Sequence, residues 1–169
     1  MRKEIALAAA LVASGPHTHA APPANALVMV PTLSSLRAVQ AASAARDACG
    51  TMGYKVSVRV VDAAGILLTT IRDDGAAPHT VVASQRKAYT ALTTRKPTSE
   101  MVKTLSANAD AFGLRQIDGL LILSGGIPLK VADSVVGAIG VSGAPGPDGD
   151  EKCGAAGIAA IADGLSAAK

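Results

Sequence analysis

The sequence predicts an α+β domain: an antiparallel sheet of about five strands, formed by a hairpin and a three-strand meander and flanked by helices. Three observations lead there. Residues Leu120 to Ser142 hold three apolar runs, Leu120 to Leu123, Ile127 to Val131 and Val135 to Val141, divided by Gly125-Gly126 and Ala132-Asp133-Ser134, so the stretch has the form of a meander. Val56, Val58 and Val60 alternate with Ser57 and Arg59 as a half-buried strand, and Asp62-Ala63-Ala64-Gly65 turns that strand into Ile66 to Arg72. Small apolar residues at helical spacing lie on both sides of this β-region.

In chain order, residues 1–20 have the features of a secretory signal. Arg2 and Lys3 give a positive start, Ile5 to Val12 an apolar run, and Thr18-His19-Ala20 a small-residue end. A short N-terminal helix is the alternative, since eight apolar residues are too few to span a bilayer. No other segment has the length and apolarity to do so. Cleavage after Ala20 removes two of 16 basic and one of 13 acidic residues, leaving 149 residues with a net charge of +2 and an exported protein, periplasmic or extracellular. Residues 21–31 form a Pro- and Ala-rich extended leader, and residues 32–166 a single domain.

The domain opens with a helix capped by Thr32 or Ser34, whose small-residue face comprises Ala38, Ala41, Ala42, Ala45, Ala48 and Cys49; Gly50 or Gly53 ends it. After the hairpin, Asp73 to His79 is a loop by its Asp, Gly and Pro content, and a helix runs from about Thr80 to Thr93. The Asp73-Asp74 pair could bind a hard cation, but adjacent carboxylates diverge and Asp-Gly forms turns, so the turn is the better reading. Pro97 breaks this helix, and Thr98 caps another that frays near Ala107, with Glu100 at its positive end. Beyond the meander, Ala144 to Gly149 is an exposed loop and Asp150 to Leu165 a final helix.

With Trp absent and Tyr54, Tyr89 and Phe112 the only aromatic residues, the core must be built from Ala, Val, Ile and Leu. Such small side chains permit close, flat surfaces and homo-oligomerisation. Scattered basic residues without an aromatic platform argue against nucleic-acid binding. Gly140-Val141-Ser142-Gly143 has its second glycine one residue too early for a nucleophile elbow, and Ser124-Gly125-Gly126 with Lys130 lacks the order of a phosphate-binding loop. Two lone cysteines make no zinc spacing. They can pair instead: in an exported chain, with the first and last helices antiparallel over one face of the sheet, Cys49 and Cys153 meet as a disulfide.

Asp62-Ala63-Ala64-Gly65, Asp74-Gly75-Ala76, Lys87-Ala88-Tyr89-Thr90-Ala91, Pro97-Thr98-Ser99, Gly125-Gly126-Ile127-Pro128 and Val135 to Gly143, in this order and spacing, resemble the GlcG/HbpS-like haem-binding family over roughly Leu33 to Leu165. The resemblance implies an antiparallel sheet flanked by helices, assembly into oligomers, and haem or iron binding in some members.

Haem needs an axial ligand, an apolar slot and cations for its propionates. If His17 and His19 leave with the signal, His79 is the sole imidazole and the candidate iron ligand, with Arg86, Lys87, Arg95 and Lys96 as candidate propionate partners and Tyr89 lying among them. Tyr89, Tyr54, Met29 and Met101 are alternative ligands, and a solvated helix start remains the plain alternative for His79. The expectation is therefore an exported haem- or iron-binding protein that is not an enzyme, for haem sequestration or sensing. A structural or partner-interaction oligomer, or an enzyme acting on a small metabolite near His79 and Lys87, are the other readings.

Overall fold

The computed structural model describes residues 27–146 and 148–165; the signal segment with His17 and His19 lies outside them. The domain has three layers. One four-stranded antiparallel sheet carries a pair of helices on one face and a single long helix on the other.

Helix α1 (Ser35–Thr51) starts at Ser34, whose hydroxyl accepts from the Arg37 amide. Ala38, Ala41, Ala42, Ala45 and Cys49 are its buried face, as their spacing predicts. The hairpin follows as β1 (Ser57–Asp62) and β2 (Leu67–Arg72); Asp62 Oδ1 accepts from the amides of Ala64 and Ile66 and holds the turn. β1 is not half-buried. Ser57 and Val61 are as enclosed as Val58 and Val60, because helix α2 (His79–Thr94) covers the face that the alternation left to solvent.

Helix α3 (Thr98–Ala107) comes next, then a short 3-10 helix at Ala109–Gln116. Thr98 does not cap α3: it is the first helical residue, and its buried hydroxyl accepts from the Gly126 amide at 2.9 Å. The sheet is completed by β3 (Gly126–Val131) and β4 (Ser134–Ser142), giving the order β2-β1-β4-β3. Among the described residues the sheet has four strands, close to the expected five. Leu120 to Leu123 is irregular because its backbone finds side chains instead of a strand: Thr90 Oγ1 accepts from the Leu121 amide and Arg86 donates to the Leu120 carbonyl.

Helix α4 (Gly149–Ala159) ends earlier than periodicity suggests and passes into a short 3-10 turn at Ala162–Gly164. It runs antiparallel to α1. Cys153 bonds Cys49, with the Cα atoms 5.4 Å apart, while a methyl on Gly157 would come within 2.5 Å of the Ala41 carbonyl. The core between α1, α4 and the sheet is formed by Val56, Val58, Val60, Leu129, Ile139 and Val141 with the alanine face of α1.

On the other face, α2 presses directly on backbone. A methyl on Gly140 would sit 2.1 Å from the Ser84 carbonyl, and one on Gly126 would sit 2.2 Å from that of Lys87. These two glycines fix the depth of α2 against β3 and β4, and so the position of every side chain it carries.

Candidate functional site

Because Lys87 lies on the sheet-facing side of α2, its chain is directed along the interface to where β4 ends. Its side chain is 2 % exposed, and the Nζ donates to Asp150 Oδ2 at 2.7 Å and to the Val141 carbonyl at 3.1 Å. Asp150, in the first turn of α4, accepts the Ala144 amide on its other oxygen at 2.8 Å. One ion pair thus ties α2, β4, the loop after it and α4 together. Asp150 was missed by sequence reasoning, which saw in it only the start of a helix; 63 residues separate it from Lys87, and no periodicity links them.

The pair forms the floor of an open cleft of about 250 Å³ whose walls include His79, Leu123, Ser124 and Ser142. His79 and Lys87 therefore share one site, His79 at the exposed first residue of α2 and Lys87 beneath it. Lys87 is not a free cation, since Asp150 matches its charge.

His79, Val82, Arg86 and Tyr89 follow helical spacing along the outward side of α2. Val82 is 60 % exposed, Arg86 is held by its bond to the Leu120 carbonyl, and the Tyr89 ring packs beside Gly65 and Gly119. Arg95 is separated from this group. It ends α2 with φ 58°, 16 residues or about 24 Å along the axis from His79, which is further than a propionate extends from haem iron. Lys96 follows it, beyond the end of the helix.

The alternative ligands do not converge on His79 either. Tyr54 packs against the core on the α1 and α4 side of the sheet, Met101 is buried in α3, and Met29 is exposed in the leader. Among the described residues, no three His, Cys, Asp or Glu side chains gather to hold a metal ion, and no helix is long and apolar enough to cross a membrane.

Were a haem held at the outer surface of α2, His79 would be the ligand available to its iron, exposed Val82 and Leu123 would offer apolar contact, and Arg86, about 10 Å along the helix, would be the cation for a propionate. These residues do not fit an enclosed haem: the cleft is smaller than the roughly 300–1,000 Å³ of pockets that envelop drug-sized ligands.

Comparison with known proteins adds the following. The family model for haem degrading protein HbpS-like matches residues 33–159. Protein GlcG of Escherichia coli K12 is 33 % identical over 110 residues, which are 65 % of this chain and 81 % of GlcG. Among solved structures, a double mutant of Streptomyces reticuli HbpS is 42 % identical with a TM-score of 0.76, covering 84 % of this chain and 98 % of that one. A PduOC–haem complex is 26 % identical with a TM-score of 0.71, covering 77 % and 95 %.

Proposed function

The chain belongs to the HbpS-like family, and from that premise we propose that it is an exported haem-binding protein which holds haem at the outer face of α2 with His79 as axial ligand. One observation carries the choice of residue: His79 stands exposed at the start of α2, in line with Val82 and Arg86, on a helix whose depth is set by backbone contact with the sheet. Haem, when bound, supplies the redox and ligand-exchange chemistry of its iron. The chain's own contribution would be to orient the ring: His79 would offer an imidazole nitrogen, Arg86 the part of its guanidinium not bonded to the Leu120 carbonyl, and exposed Val82 and Leu123 apolar contact. Binding suits sequestration or sensing.

Titrating haemin into the purified protein is expected to give a saturable, shifted Soret band that His79→Ala abolishes or displaces while circular dichroism stays unchanged. An identical band in the variant would assign the iron to another residue. No band in the parent would remove the haem reading.

Export is supported by the Cys49–Cys153 bond, since disulfides persist in oxidising compartments. Homo-oligomerisation is the second part of the proposal, favoured by exposed apolar residues on the outer side of α1 and on edge strand β2: Leu36, Val39 and Leu67 are 68 %, 45 % and 43 % exposed. Sedimentation equilibrium is expected to give a multiple of the protomer mass that falls for Leu36→Glu/Leu67→Glu. A monomer in the parent would refute it.

A further inference from the structure

We propose that the cleft above the Lys87–Asp150 pair is a binding site for a small carboxylate. Three independent features meet there. Ser142 is 6 % exposed and lines the cleft, yet its hydroxyl makes no hydrogen bond to any described residue. The hydroxyl is at the cleft wall and is free to donate to a ligand oxygen there. Lys87 uses two of the three donors of its ammonium, on Asp150 and on the Val141 carbonyl, leaving one N–H at the cleft floor. The N-termini of α2 and α4 both open on the same cleft, at His79 and Asp150; the Thr80 and Val81 amides are taken up by the Ala77 and Pro78 carbonyls, so α2 contributes its positive dipole end, and α4, which Asp148 does not cap with its side chain, contributes a second.

Charge selects the ligand class. The Asp150 carboxylate also lines the cleft, but both its oxygens are engaged, one by Lys87 and one by the Ala144 amide, and its charge is matched by Lys87. What remains is the partial positive charge of the helix ends and unpaired N–H and O–H donors, which suits a monoanion better than a dianionic phosphate. The volume, about 250 Å³, admits a carboxylate with a short substituent. Two sources have this chemistry: a free small carboxylic acid, or a propionate of haem bound at His79. The first does not depend on the haem reading; the second rests on it.

The test uses amide NMR of the haem-free protein titrated with acetate and propionate, with acetamide as the uncharged control. Saturable shifts at Ala144, Ser142 and Asp150, absent with acetamide and weakened about ten- to a hundredfold by Ser142→Ala, are the expected result for a free acid. That variant removes the hydroxyl and little packing, so folding is retained. A parallel arm compares haemin with its dimethyl ester. If acetate fails to saturate but the ester binds at least tenfold more weakly than haemin, and Ser142→Ala removes that difference, the carboxylate is the haem propionate. Saturation by acetate in a protein that binds no haemin keeps the cleft assignment and overturns only the haem reading. Linear, unsaturable shifts together with equal binding of haemin and its ester overturn the proposal.

Discussion

Asp150→Ala is expected to destabilise the domain by about 3–5 kcal/mol in urea unfolding, more than its position in the first turn of a surface helix suggests. The substitution leaves the Lys87 ammonium, 2 % exposed, without its counter-charge, and deprives the Ala144 amide of its acceptor. The cost arises from burying an unpaired charge, so Lys87→Met, which leaves the carboxylate behind, is expected to have a similar effect. The double variant Lys87→Met/Asp150→Leu removes both charges and should recover at least half of either loss, because a buried ion pair contributes little beyond what apolar packing supplies. Single variants within 1 kcal/mol of the parent, or a double variant whose loss equals the sum of the singles, would show that the two groups are not coupled.

Removing the disulfide has the second large effect. Cys49 and Cys153 are 104 residues apart, and in the chain-entropy description a loop of that order restrains the unfolded chain by about 4.7 kcal/mol, an upper value. Cys49→Ala/Cys153→Ala is expected to lower Tm by on the order of 10–20 °C while leaving the fold intact, since both thiols lie on an already close-packed alanine face. The bond also closes α1 on α4, so the early-unfolding region in hydrogen exchange should shift to those helices. A Tm change below about 2 °C, or two free thiols in unreduced protein taken from its native compartment, would refute the structural role and with it the argument for export.

Much of this architecture was legible in the residues because it rests on short-range regularities. Ala38 to Cys49 repeats at helical spacing and Asp62 to Gly65 has turn chemistry; both are local signals, and both lead to the observed elements. The disulfide could be reached from two cysteines, the expectation of export and an assumption about helix direction that α1 and α4 satisfy.

The site was less legible for the same reason. Leu120 to Leu123 has the composition of a strand, but its hydrogen-bond partners are Thr90 and Arg86 on a helix some 30 residues earlier, which no periodicity reports. Lys87 looked like one of several helix cations until burial against β4 brought it to Asp150. His79 was named from its residue type and helix position. Its place beside Lys87, Ser142 and Asp150 depends on how closely α2 sits on two glycines.

A crystal structure of the protein loaded with haemin tests the central claim most directly. The expected result is one haem across the outer face of α2, its iron bonded to a ring nitrogen of His79 and a propionate at Arg86 or in the cleft at Ser142. Iron ligated by a residue outside α2, or haemin that occupies no defined position, would contradict it.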